Sequence, residues 1–132
     1  MRWAILRHDV PGEGWHLDIL LARPDAGSLV TFRVVHPAAT DLLRDVRPWA
    51  CTVARLPDHR VVYLDFEGAI SGGRGSVSRL ASGALEWLCS ADGSLRVRLN
   101  PLGILSAERS GPAWNLSLES LEPDRSSPNL GR

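Results

Sequence analysis

A chain of 132 residues is long enough for one domain with its own apolar core. Its 44% hydrophobic and 23% charged residues are ordinary for a globular protein and exclude a disordered or fibrous one. Fifteen basic residues, every one an arginine, balance fifteen acidic ones. That balance argues against a protein that coats duplex nucleic acid by neutralising phosphates; a nucleic-acid partner is expected to be gripped at an end or at one phosphate.

Strand-like runs recur in chain order at Trp3–Arg7, Trp15–Ala22, Ser28–Val35, Ala50–Leu56, Arg60–Phe66, Gly75–Leu80, Ala84–Leu88, Ser94–Leu99 and Trp114–Leu121. Between them lie Pro11-Gly12-Glu13-Gly14, Pro24-Asp25-Ala26-Gly27, Ser71-Gly72-Gly73 and Asp92-Gly93, residues suited to turns; Asp92-Gly93 between two alternating runs predicts a hairpin. Only Ala39–Val46 reads as a helix, with Thr40 or Asp41 as its cap. The expectation is an all-β fold: a small closed or nearly closed β-barrel of six to nine strands with one short helix, occupying residues 1–122. The polar, proline-containing residues 123–132 are expected to be a disordered tail.

Cys51 and Cys89 stand apart and outside any CxxC pair, as free thiols do in a reducing compartment. The opening MRWAILRHD becomes charged too early for a signal peptide, and no run approaches the ~18 apolar residues that cross a bilayer. A cytoplasmic protein without a membrane partner is expected.

Three segments could carry chemistry. In Trp15-His16-Leu17-Asp18-Ile19-Leu20-Leu21, strand alternation puts His16 and Asp18 on one face. His8 ends the preceding run, and the Pro-Gly turn can set it across from His16. Two imidazoles and a carboxylate suit Mn, Fe or Zn with positions left open. Taken alone, an HxD pair also describes a surface His–Asp contact. In the second segment, Asp58-His59 to Gly68, a strand would put His59, Val61, Tyr63 and Asp65 on one face, giving an imidazole and a phenol that can donate to a phosphate oxygen. The third, Glu67 to Val77, is a glycine-rich turn around Arg74 able to wrap an anion, although it lacks the GK[ST] of a P-loop.

The order of these motifs, HD, then HxD, then DHxxxYxDFEG running into a glycine-rich loop, resembles the 3′-phosphoesterase module of bacterial DNA ligase D over Trp3 to Leu121. The resemblance implies a small β-barrel with a Mn²⁺-dependent site (other divalent transition metals being possible). Its implied activity removes 3′-phosphates or terminal 3′-ribonucleotides from DNA ends during end joining, beside separate ligase and polymerase partners. It further implies His8, His16 and Asp18 as metal ligands, and His59 and Tyr63 as contacts to the scissile phosphate. The family keeps an arginine where this chain has Leu20, an acidic residue where it has Pro57, and a slightly longer glycine-rich loop. Arg7, Arg33, Arg60 and Arg74 are the candidates to replace that arginine, with Arg74 favoured as a catalytic residue because glycines flank it. Two other readings of the same residues are a catalytically silent module that binds metal and nucleic-acid ends, and a cupin-like non-haem iron oxygenase built on His16, Asp18 and His59.

Overall fold

The computed structural model describes residues 1–25 and 27–121; the expected tail lies outside the described residues. The fold is all-β, as expected. Strands β1 (Arg2–Val10), β2 (Gly14–Ala22) and β3 (Leu29–Val34) precede a single short helix, α1 (Ala38–Leu43). After it come β4 (Trp49–His59), β5 (Gly68–Ala69), β6 (Ser76–Ala91), β7 (Ser94–Leu99), β8 (Gly103–Ser110) and β9 (Ala113–Glu119). Neighbours in the sheet run β1-β2-β3-β4-β9-β8-β7-β6, and β6 pairs back onto β1, so eight strands close a ring; β5 hangs on β6. No helix among the described residues is long and apolar enough to cross a membrane.

Two long strands make the closure possible. β4 pairs with β3 through Ala54–His59 and with β9 through Trp49–Val53. β6, sixteen residues long, pairs with β1 up to Ala84 and with β7 from Leu85. The sequence suggests two strands around Ser82-Gly83, but the glycine is there for a close approach rather than a turn. A Cβ at Gly83 would lie 2.0 Å from the Asn100 carbonyl oxygen and 2.9 Å from Trp3 Nε1. That indole N–H donates to the same carbonyl at 3.1 Å, tying β1 to the β7–β8 turn where β6 passes between its partners.

The hairpin turns fall where the residues place them. Ala91 pairs with Ser94 across Asp92-Gly93, and Val10 with Gly14 across Pro11-Gly12-Glu13. Two strands were not foreseen: the two-residue β5, and β8, whose Ser, Ala, Glu and Arg are weak strand formers. In β8, buried Leu105 and Ala107 alternate with half-buried Ile104 and Ser106, and Gly111-Pro112 turns it into β9.

Arg60–Phe66 is not a strand. The β3–β4 ladder ends at Leu29 opposite His59, so beyond His59 the backbone has no neighbour to bond. It satisfies itself locally: Val61–Leu64 is a 3-10 turn, with Tyr63 N–H donating to Arg60 O and Asp65 N–H to Val62 O, both at 3.1 Å. The helix also begins earlier than expected, after Pro37, with no side-chain cap. Thr40 lies inside it, and its hydroxyl meets His36 Nδ1 at 3.0 Å.

On β1–β3, Ile5, Ile19 and Phe32 lie side by side on one face, and Phe32 packs 5.6 Å from Trp114 of β9. The opposite face carries Leu6, Asp18 and Arg33 in register, with His8 beside His16. Both faces of β2 are covered, so Leu17 through Ala22 are all buried.

Two outcomes follow from this packing. Gly83→Ala should lower unfolding free energy by about 1–3 kcal/mol, the usual cost of forcing an extra carbon into a filled site, and should perturb the near-UV signal of Trp3; urea unfolding and circular dichroism measure both. Burial pushes the Cys51 thiol up to about 11, whereas Cys89 is exposed. At pH 7.5 an alkylating reagent should therefore label Cys89 first and half-buried Cys51 markedly more slowly, as peptide mass spectrometry would record.

Candidate metal centre

The register of β1 on β2 is what assembles the centre. His8 lies opposite His16, and Asp18 follows two residues along the same face. His8 Nδ1 is 3.2 Å from His16 Nε2, and His16 Nε2 is 3.4 Å from Asp18 Oδ1. All three ligand atoms fall within 4.8 Å of one another. Two ligand atoms bound to one ion at ~2.1 Å, with an angle between tetrahedral and octahedral values, are about 3.0–3.4 Å apart. Both measured neighbour distances meet that requirement.

The outer contacts suit the same purpose. His8 Nε2 lies 2.8 Å from the backbone carbonyl oxygen of Arg74, which can only accept, so Nε2 carries the hydrogen and Nδ1 keeps its lone pair toward His16. Gly75 brings that backbone close: a Cβ there would lie 1.9 Å from the Asp9 carbonyl oxygen, and its φ is +95°. Asp18 is 4% exposed. Burial alone would raise its pKa, but the His16 hydrogen bond and the charge of Arg33 outweigh burial and hold the carboxyl below its usual range. Arg33, opposite Asp18 on β3, donates from Nε to Asp18 Oδ1 at 3.3 Å.

A cleft of about 410 Å³ opens beside this group, lined by His8, Asp18, Arg33, Asp58, His59, Arg60, Tyr63 and Arg74 together with the apolar Leu6, Ile70 and Val77. His59 and Tyr63 line the same cleft, through the end of β4 and the 3-10 turn rather than along one strand. Their rings are 5.7 Å apart, and the Arg60 guanidinium lies 5.9 Å from the Tyr63 ring. His59 Nδ1 is 3.2 Å from the Pro57 carbonyl oxygen, which leaves Nε2 as the nitrogen available to a ligand.

Three arginines line this cleft. Arg33 is committed to Asp18. Arg74 donates from Nε to Ser71 O at 2.8 Å, and among the described residues neither it nor Arg60 has a carboxylate partner. Asp58, which had no expected role of its own, bonds Arg23 and the Ser28 hydroxyl just ahead of β3, and so anchors the strand end that carries His59. Arg7 points to the other face and pairs with Asp9 at 2.8 Å. Leu20 shares the face of Asp18 but is 0% exposed and does not line the cleft.

Fold and centre together define an all-β protein with a His₂Asp group able to hold a metal ion. No model of a known protein family matches the chain, and no curated protein is significantly similar to it.

The Asp58 anchor has a pH signature. Burial raises the Asp58 pKa, but bonds from Arg23 and Ser28 and the nearby Arg55 outweigh it and leave the folded value below the usual one. A carboxyl depressed on folding stabilises the protein fully above its unfolded pKa of about 3.9, and that contribution is lost as pH falls through the lower folded value. Asp58→Asn should therefore cost about 1–3 kcal/mol at pH 7, the range for hydrogen bonds to a charged group. The gap to the parent should narrow below about pH 4, measured by urea unfolding across pH.

Proposed function

We propose that the chain is a metal-dependent phosphoesterase acting on the 3′ ends of nucleic acid, removing a 3′-phosphate or a terminal 3′-ribonucleotide from DNA during end joining. The observation that carries this reading is the grouping of His8, His16 and Asp18, with neighbour distances of 3.2 and 3.4 Å and all three ligand atoms within 4.8 Å, at the wall of a cleft lined by Arg33, Arg60 and Arg74. The motif resemblance to the 3′-phosphoesterase module of DNA ligase D adds the class of substrate.

His8, His16 and Asp18 would hold the ion, with Mn²⁺ the metal implied by the resemblance and other divalent transition metals chemically admissible. Such an ion supplies Lewis-acid polarisation of a phosphate oxygen. The chain's own groups do the remaining work. Arg60 and Arg74, with no acid to neutralise them, can bind the phosphate oxygens turned away from the ion. The His59 imidazole and Tyr63 hydroxyl add two further donors where charge builds up as the ester bond breaks. Arg33 holds Asp18 ionised and oriented. Because Leu20 is sealed in the core, the arginine that the family keeps at that position must be replaced from elsewhere, and Arg33, Arg60 and Arg74 all lie in the cleft.

The direct test is incubation of a primer–template ending in a 3′-phosphate with the protein and Mn²⁺, following conversion to a 3′-hydroxyl. Conversion is expected, and its absence across Mn²⁺, Co²⁺ and Zn²⁺ would sink the reading. Arg74→Ala and His59→Ala should each lower turnover by about 10²–10³-fold, the usual cost of one transition-state donor. His16→Ala should abolish metal binding in calorimetry while leaving the far-UV spectrum intact.

A further inference from the structure

Arg33 stands at a junction. It lies opposite Asp18 in the β2–β3 register and lines the cleft of His59 and Tyr63. It also lines a second cleft, of about 690 Å³, together with His8, His16 and Arg74. Its side chain is 34% exposed, whereas Asp18 beneath it is buried. What it gives Asp18 is only part of what a guanidinium can give. Arg7 shows the fork fully used: its Nε meets both Asp9 oxygens at 3.1 Å, and its Nη2 meets one of them at 2.8 Å. Arg33 meets Asp18 through Nε alone, at 3.3 Å from Oδ1. Among the described residues its two terminal nitrogens have no hydrogen-bond partner, and neither is sealed from solvent. The side chain therefore ends in open donors where the two clefts meet.

We propose that Arg33 is the phosphate clamp of the ligand group, with Nε kept on Asp18 Oδ1 while the terminal nitrogens take an oxygen of the phosphate monoester nearest that carboxylate; the proposal rests on the phosphoesterase reading above. A guanidinium carries five donors in one rigid plane, so it can serve two acceptors side by side, which a single ammonium on a flexible stem cannot do in the same geometry. Of the three arginine head groups in the first cleft, this one alone touches a ligand residue. Arg74 directs Nε and Nη2 to Ser71 of its own loop, and Arg60 sits 5.9 Å from the Tyr63 ring. The place that Leu20 leaves without a guanidinium is thereby filled from the neighbouring strand. Leu20 lies opposite Thr31, and Arg33 is two residues further along β3 on the same face. One side chain that both orients a metal ligand and binds the anion also couples the two, so each raises the affinity of the other by the same factor.

Inorganic phosphate is the probe, so the test needs no nucleic acid. The full chain is saturated with Mn²⁺, with occupancy read from the electron paramagnetic resonance of the free ion, and phosphate binding is followed by paramagnetic relaxation of its phosphorus resonance. At full Mn²⁺ occupancy, Arg33→Ala should weaken phosphate binding about tenfold or more, the scale of a lost hydrogen bond between charged groups. Arg33→Lys should recover only part of that loss. In the parent, phosphate should raise Mn²⁺ affinity, and Arg33→Ala should shrink that gain by the factor it takes from phosphate binding. A residue that merely supports Asp18 would behave otherwise: Arg33→Ala would weaken Mn²⁺ binding and leave the phosphate affinity of the saturated protein unchanged. That result overturns the clamp, as do full recovery in Arg33→Lys and failure of the Mn²⁺-loaded parent to bind phosphate. Phosphate binding that depends on Arg33, without release of a 3′-phosphate by the parent, would keep the clamp and end the phosphoesterase reading; release with phosphate affinity untouched by Arg33→Ala would do the reverse.

Discussion

The pairing of Val10 with Gly14 across a three-residue turn fixes β1 against β2, and the whole centre depends on that register. Because side chains alternate along a strand, a slip of one residue would carry His16 and Asp18 to the face that holds Ile5, Ile19 and Phe32. Such a slip would put a carboxylate into the apolar interior and leucines into the cleft, so the burial that stabilises the fold also enforces the geometry of the ligands. No separate device is needed to bring His8 to His16. The hairpin that starts the ring places them.

A buried carboxylate is costly unless its charge is met. Asp18 is met on two sides, by Arg33 from β3 and by His16 from its own strand. The arginine across the ladder comes at the same level as the acid, so β2 and β3 meet in one charged pair, with apolar Leu6 of β1 completing the row. Further positive charge lines the same cleft from outside the sheet, with Arg60 just ahead of the 3-10 turn and Arg74 in the glycine-rich loop whose backbone meets His8. A site with ligands on a rigid sheet and cations on turns can keep its ion geometry while its anion contacts adapt.

Much of this was legible in the residues, and the failures have physical causes. Hairpins marked by Pro-Gly and Asp-Gly were readable because a turn is a local decision, and with the first of them came the facing histidines. Arg60–Phe66 misled because Val-Val-Tyr favours a strand only where another strand is there to pair with it, and β3 stops at Leu29. One long strand was divided in two at Ser82-Gly83 because nothing in the neighbours of Gly83 reveals that Asn100 and Trp3 crowd it in space. β8 was overlooked because its inward positions hold only Leu105 and Ala107 amid poor strand formers. Within the site, the pairing of Arg33 with Asp18 needed the β2–β3 register, which depends on an irregular loop that sequence does not specify. The burial of Leu20 was hidden for a similar reason: alternation gives its face, but not what covers that face.

The two long strands have a consequence for how the molecule comes apart. β4 and β6 each supply backbone hydrogen bonds to both halves of the ring, one half built on β1–β3 and the other on β7–β9. Neither half can open without tearing one side of a strand that the other half still holds. Amide protons in β1–β3 and β7–β9 are therefore tied into one opening event rather than two, with exchange in both halves governed by the same global free energy. The hairpin that carries the ligands shares that protection. Its order is borrowed from strands at the opposite side of the ring, which touch neither imidazole nor carboxylate.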